Sequence, residues 1–407
     1  MKPGLLLLLF WNAVLAQSPW PSESWATATP LTSVMNASGL TELSGLHWNP
    51  QTNRLYVVHG DGRLRVLQLD TTTHTFVQIG NKTISGGPEG ITQTDFSADQ
   101  FYTIDENNYE IRQYAHTANF ASVTQTRQWN LLQSPSPMQN TGNTGPEGIA
   151  FVPDAHLSQI GFTSSVTHMP YTSVKGAGGL FFVAHQDGGF IWVFDVNPEV
   201  SNDFAYVGKY QTARSESCDL SFDRSTGLLY ILHNTGANFV EVTDMTLAPV
   251  SVTRFNTVAE YFTANPTDGN INLEGFAVMP KCGAGITASA FVCRDVEPDE
   301  SLVRRQDAIR WFEPYVADGI CPPLGIARFN PASFTAYPNP VGESLGIDFG
   351  SASRRTVLIY NALGQKLSEV QTDAPQLSIP TQQWPSGVYV IEVRSGGEKM
   401  VRQLIKP

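Results

Sequence analysis

"GPEGITQTDFSADQFYTIDENNYEIRQYA", residues 87–115, decides the fold. It runs as a short apolar stretch, a polar turn, a second apolar stretch ending at Asp105, an Asn-rich turn, and an alternating stretch from Glu110. Brief runs rich in aromatic and β-branched residues, punctuated by Asp, Asn, Ser and Gly, are strands joined by turns. The same order recurs in "ELSGLHWNPQTNRLYVVHGDGRLRVLQLD" from Glu42, and in "PEGIAFVP" from Pro146 resuming at "GGLFFVAHQDGGFIWVFDV". It recurs again in "SCDLSFDRSTGLLYILHNTGANFVEVTD" from Ser217, and in "NLEGFAVMP" from Asn272 resuming at "SAFVCRDVEPDESLVRRQDAIRWFEPY". A more variable fourth strand, such as "ASVTQTRQWNL" or "FAYVGKYQT", follows the third. Four antiparallel strands per unit, repeated, make propeller blades. The third unit carries an inserted stretch, "HLSQIGFTSSVTHMPYTSVKGAG", expected as a surface loop.

The fifth unit lacks a fourth strand, whereas "ATATPLTSVMNA" before the first unit is a strand without a sheet. Supplying one from the other removes the free edges, so the expectation is five blades, with six as the alternative. Composition agrees with an all-β chain. Among 407 residues the charged fraction is only 15%, while Gly (34) and Pro (26) are plentiful enough to serve many turns. Net charge is −12, from 25 basic and 37 acidic residues, which argues against nucleic acid as a partner because phosphate binding needs clustered Lys and Arg. The opening "MKPGLLLLLFWNAVLAQSPW" has one Lys, a short apolar core and small residues near Ala16, the pattern of a secretory signal peptide over 1–16. No other segment is long and apolar enough to suggest a transmembrane span.

In a blade, the start of the first strand and the turn after the second lie on one face of the ring. The first-strand position holds Ser44, Glu89, Glu147, Asp219 and Glu274, and the second-turn position holds His59, Asp105, His185, His233 and Arg294. Carboxylates and imidazoles are thus expected to ring one mouth of the channel, with a glycine after several of the acids where blades crowd together. Close carboxylates need a cation, raised pKa values or hydrogen-bond donors. One reading is a hard cation such as Ca²⁺ on Glu89, Glu147, Asp219 and Glu274, with Ser44, His59, Asp105 and Arg294 facing a small-molecule or surface ligand. A second is a metal-assisted hydrolase of an ester, lactone or phosphoester, with Glu147 or Glu274 as base and His185 or His233 as acid or substrate contact. A third is a structural surface protein in which the acids only cap backbone N–H groups of neighbouring blades.

Other motifs carry less. "HGDG", "DENN" and "HQDG" are first of all hairpin turns. "GESLG", residues 342–346, matches the nucleophile-elbow pattern but lies between a "YPNP" turn and an alternating β stretch, not between strand and helix. "DVEPDESLVRRQD" is a charged turn on the acidic face, a candidate lid.

The motifs "TELSGLHWNPQTNRLYVV", "PEGI", "PEGIAF" and "NLEGFAVMP" followed by "AFVCRD" resemble the SdiA-regulated-like and esterase-like-phytase β-propeller families over residues 40 to 315. The resemblance implies a Ca²⁺-associated propeller, some relatives being esterases or phytases; this chain offers no obvious nucleophile and no basic cluster for phosphate. The tail, with "AYPNPVGESLGIDF", "RTVLIYNALGQKL" and "GVYVIEVRSGGEKMVRQLIKP" in order, resembles the type A C-terminal sorting domain of the type IX secretion system of Gram-negative bacteria. It is expected as an Ig-like antiparallel sandwich of about seven strands, with a tight turn at 361–364 and a strand opening at Gly387. The implied organisation is a propeller over 20–325, a linker over 326–332 and a sorting domain over 333–407. The implied route is export to the periplasm, then passage by the type IX machinery to the cell surface or medium. Of the four cysteines, Cys282 and Cys321 both fall on the face opposite the acids and suit a bridge; Cys218 and Cys293 are either buried thiols or a second pair.

Overall fold

A computed structural model describes residues 18–35, 37–234, 237–249, 251–269, 271–279, 288–315, 334–349, 354–361, 365–395 and 398–407. The chain forms two compact units, 1–321 and 322–407. In the first, β1 (Thr29–Pro30) precedes blade 1, made of β2 (Leu43–Asn49), β3 (Arg54–His59), β4 (Arg63–Asp70) and β5 (Thr75–Thr83). Blade 2 is β6 (Pro88–Thr92), β7 (Gln100–Asp105), β8 (Glu110–His116) and β9 (Val123–Asn130). Blade 3 is β10 (Pro146–Pro153), β11 (Gly179–His185), β12 (Phe190–Val196) and β13 (Phe204–Gln211), with α1 (Asp154–Ile160) after its first strand. Blade 4 is β14 (Asp219–Asp223), β15 (Leu228–His233), β16 (Phe239–Leu247) and β17 (Phe255–Phe262). Blade 5 is β18 (Leu273–Met279), β19 (Ser289–Arg294) and β20 (Ile309–Phe312), with α2 (Leu302–Gln306) inside the stretch expected as a charged turn.

Each blade is an antiparallel meander of four strands, and β1 is the fourth strand of blade 5. Thr29 pairs with Trp311 and Pro30 with Arg310, so the orphan strand closes the ring as its sequence suggested. Strands near the axis are covered on both sides and read as unbroken apolar runs: every residue of β11, "GLFFVAH", is buried. Outer strands alternate, as in β9. Apolar residues of successive blades mesh into shared cores, including Tyr56 and Val58 with Phe101 and Tyr114, and Tyr102 and Trp129 with Phe181. The cycle ends with Trp48 and Phe76 of blade 1 against Phe291 and Trp311 of blade 5. Blade 5 therefore packs directly on blade 1, and the six-bladed alternative has no place.

The insertion in blade 3 begins as α1 and is pinned by polar contacts to the blade. Buried Asp195 accepts from Tyr171 Oη (3.0 Å), Val174 N (2.7 Å) and Lys175 N (3.3 Å), while Asp154 accepts from Ser173 N (2.7 Å). In the second unit, β21 (Thr335–Tyr337), β22 (Ser344–Asp348) and β25 (Gln376–Pro380) form one sheet. The other sheet comprises β23 (Arg355–Asn361), β24 (Lys366–Thr372), β26 (Gly387–Ser395) and β27 (Glu398–Lys406). Leu345 and Ile347 of one sheet share a core with Val357, Ile359 and Ile391 of the other, giving the seven-stranded sandwich. Ser344 opens a strand there and is exposed, so no nucleophile elbow exists at that serine. Residues 1–17, the linker at 326–332, the turn at 362–364, and Cys282 with Cys321 lie outside the described residues. Cys218 and Cys293 are buried free thiols.

Trp25 anchors the closing segment: its Nε1–H donates to Asp307 Oδ2 (2.9 Å) and its ring lies 6.0 Å from that of Phe312. Replacing Trp25 with Ala is expected to cost about 3–5 kcal/mol, the range for deleting a buried large aromatic, read as a lowered urea midpoint.

Candidate functional site

The acids of the repeated motif owe their position to a β-bulge. Pairing of the first two strands slips between Leu43 and Leu46, Pro88 and Gly90, Pro146 and Ile149, and Leu273 and Gly275. Each slip surrounds the expected acid position (Ser44, Glu89, Glu147, Glu274) and turns its side chain out of the ladder towards the mouth. The glycine that follows brings the blades together. A Cβ on Gly90 would meet Gly148 Cα at 2.9 Å, and one on Gly148 would meet Asp219 Cα at 2.6 Å. No larger residue fits these two positions without moving backbone.

Blade 4 departs from the pattern. β14 pairs with β15 without a slip, and it is Asp219, not a glycine, that faces Gly148. Cys218 therefore takes the acid position and Asp219 the glycine position. The Asp219 carboxylate is fully buried and accepts from Phe276 N of blade 5 (2.8 Å), Leu220 N (2.8 Å) and Leu46 N of blade 1 (3.3 Å). Burial pushes its pKa well up, and the three N–H donors pull it back. Asp219 is thus a staple between blades, apart from Glu89, Glu147 and Glu274.

The second-turn residues are also occupied. His59 Nδ1 donates to Thr41 O (2.8 Å), Asp105 accepts from Gly87 N (2.9 Å) and pairs with Arg112 (2.7 Å), and His233 Nδ1 donates to Glu216 O (2.6 Å). These bonds latch the turn after the second strand to the chain entering the first. His233 Nε2 contacts Glu241 (3.0 Å) in full burial, and its Nδ1 also lies 3.3 Å from Ser217 Oγ. That Ser–His–Glu array cannot work as a nucleophilic triad, because Nδ1–H is committed to a carbonyl and cannot take the serine proton. Arg294 is buried between Asp268 (2.8 Å) and Asp307 (3.2 Å). The His185 ring sits at a tilt 6.3 Å from that of Tyr109 and 6.2 Å from that of Trp192, and burial lowers its pKa to about 4.

What meets the acids is the next residue along. Strand periodicity turns it to the opposite side, so Gly60, Glu106, Asn234 and Asp295 reach the mouth where His59, Asp105, His233 and Arg294 do not. Glu89 Oε1 lies 3.1 Å from the position a Gly60 Cβ would take, and Ser44 bonds the Glu89 carboxyl. Glu147 contacts Glu106, and Glu274 accepts from Asn234 Nδ2 (3.2 Å). Each acid leans on the preceding blade. Burial raises the pKa of Glu89 to about 7 and of Glu274 to about 8, with Glu106 and Asp295 adding repulsion at the first and Glu89 and Asp295 at the second. Burial, then Glu89 and Glu274, also push the Glu147 carboxyl well above its ordinary value. Asp295 Oδ1 is buried without a hydrogen-bond partner among the described residues. No group of three or more His, Cys, Asp or Glu side chains among the described residues is close enough to hold one metal ion.

Residues 335–407 match the family described as secretion system C-terminal sorting domain. The tail carries a sorting domain. That domain directs the protein by the type IX system to the cell surface or exterior of a Gram-negative bacterium. Residues 28–159, which hold the closing strand, blades 1 and 2 and the first strand of blade 3, match the SdiA-regulated family. No curated protein matches the chain. A solved structure of PorZ from Porphyromonas gingivalis, described as an essential bacterial surface component of the type IX secretion system, is 12% identical with a TM-score of 0.30. The match covers 89% of this chain and 59% of that one, and at that TM-score it carries no argument.

Two outcomes follow from this geometry. Asp219→Ala strands three buried N–H groups and is expected to cost about 3 kcal/mol or more in urea unfolding, with Asp219→Asn milder. Glu89 and Glu274 have folded pKa values above their unfolded ones, so their contribution is fully present below about pH 4.5 and is lost as pH rises through 7 to 8. Glu89→Gln/Glu274→Gln, mimicking the protonated state, should therefore gain in thermal midpoint over wild type as pH is raised from 6 to 9.

Proposed function

We propose that the protein is a surface-delivered binding propeller whose acidic mouth takes a cationic ligand between Glu89, Glu147, Glu274 and Asp295. The observation that carries this reading is the convergence of carboxyl groups from blades 2, 3 and 5, set there by the same bulge, beside Asp295, whose Oδ1 has no hydrogen-bond partner among the described residues. Asp219 bonds the backbone N–H groups of Leu46, Leu220 and Phe276, whereas the bonds found for Glu89, Glu147 and Glu274 are to side chains, which favours a ligand over a staple. A Ca²⁺ ion would need six to eight oxygens at short range. The carboxylates would have to draw together to supply them, with carbonyls and water completing the shell. An amine or guanidinium of a peptide or polyamine reaches separated carboxylates by hydrogen bonds without such closure.

Thermal unfolding of the full chain at fixed ionic strength, in CaCl₂, in spermidine and in chelator, tests the reading. A ligand held only by the folded state raises the midpoint saturably, by about 2.7 kcal/mol at one hundred times its Kd. A rise with Ca²⁺ alone assigns a metal ion, and a rise with spermidine alone assigns an organic cation. Either rise should vanish in Glu89→Gln/Glu274→Gln. No saturable rise with either, or an equal rise in the double variant, overturns the reading.

A further inference from the structure

The seam between blades 3 and 4 buries a histidine that faces acceptors at both ends. His233 and Glu241 are fully buried, and His233 Nε2 lies 3.0 Å from Glu241 Oε2. On the other side of the ring, Nδ1 meets Glu216 O at 2.6 Å and Ser217 Oγ at 3.3 Å. The Ser217 hydroxyl donates its own proton to Gly189 O of blade 3 (3.1 Å), so towards the ring it can only accept. A neutral imidazole has one N–H and one bare nitrogen. Here the bare nitrogen would stand against an oxygen lone pair whichever end it took, in a place water does not reach.

The Glu241 carboxylate is engaged as an acceptor on both oxygens, from Ala213 N at Oε2 (2.8 Å) and from Thr257 Oγ1 at Oε1 (2.5 Å). Burial pushes its pKa up, but the bond and charge of His233, with the bonds from Thr257 and Ala213, more than offset this and hold it below the ordinary value. The shared proton therefore belongs on the ring. Other charged groups on the elements packed here are directed elsewhere: Arg214 pairs with Glu260 of β17 (2.7 Å), Glu216 acts on Glu274, and Asp187 of blade 3 acts on His185 and Lys209. Ala213 N and Glu216 O, the backbone groups held by the pair, both lie in the connection from β13 to β14. The same connection bonds blade 3 through Thr212 Oγ1, which donates to Gly189 O (2.6 Å), and through Ser217. His233 and Glu241 thus grip it from blade 4.

We propose that His233 is a proton-operated latch: as an imidazolium bridging Glu216 O and Glu241 it clamps the 212–217 connection across the seam, and on losing its proton it lets that connection open. Both of its bonds are made only by the charged ring. They stabilise the closed connection on the acid side of the ring's titration, and that contribution is lost as pH rises through it. The latch stands on the seam alone and does not depend on which ligand the acidic mouth takes.

The test follows two signals in the full chain from pH 5 to pH 9. Nitrogen NMR of the ¹⁵N-histidine-labelled protein reads the protons on each ring nitrogen, the His233 signals being those lost in His233→Gln. Hydrogen exchange of peptides covering residues 211–218, corrected for base catalysis, reads the opening of the connection. His233 is expected to show two N–H groups at the acid end, and exchange should quicken at least tenfold over the pH range in which it loses one. Glu241→Gln, which keeps an acceptor but removes the counter-charge, should bring both changes to lower pH together, and His233→Gln should abolish the pH step in exchange. Should His233→Gln not fold, the signals that move in Glu241→Gln identify the ring and that variant carries the comparison. A single N–H on His233 at pH 5, proton loss without faster exchange, or a ring that keeps both protons to pH 9 in wild type and Glu241→Gln alike overturns the latch.

Discussion

Five sheets can meet at one axis only if their innermost backbones nearly touch, and that crowding governs the rest of the molecule. Glycine relieves it at positions 45, 90, 148 and 275, where a Cβ would strike the neighbouring blade. At the remaining position Asp219 does the reverse and fills the gap with a carboxylate. Its bonds to the first strands of blades 1 and 5 tie the ring where its two chain ends come together. A buried carboxylate without partners would be severely destabilising; with three N–H donors it becomes the polar centre of the closure.

The same crowding creates the acidic mouth. A bulge next to each axial glycine lifts one side chain out of the ladder, and in blades 2, 3 and 5 that side chain is Glu. The pairing between blades then sets each acid against the residue just past the second-strand turn of the blade before it: Gly60, Glu106 and Asn234. Because the acids raise one another's pKa values and burial raises them all, the mouth holds strain that a cation would relieve.

Much of the fold was legible in the chain. The strand–turn repeats, the missing fourth strand of blade 5 and the orphan strand at 26–37 together imply five blades closed by the N-terminal segment, and the ordered tail motifs imply the sandwich. The register of the mouth was not legible. Choosing His59, Asp105, His233 and Arg294 over their successors is a slip of one residue, and in a strand one residue exchanges inside for outside. Asp219 was misplaced for a related reason: "SCDL" lacks the glycine of "PEGI", and only the unslipped pairing of β14 shows that Asp219 stands in the glycine's place.

The central claim is that carboxyl groups of different blades form one cation-seeking mouth. An anomalous difference map from crystals of the full chain soaked in a lanthanide salt tests it most directly, since a lanthanide seeks carboxylate oxygens and marks its own position. The account predicts a peak bounded by Glu89, Glu147, Glu274 and Asp295. Lanthanide bound elsewhere on the propeller, with no peak at that mouth even in crystals of a protein that spermidine fails to stabilise, would contradict it.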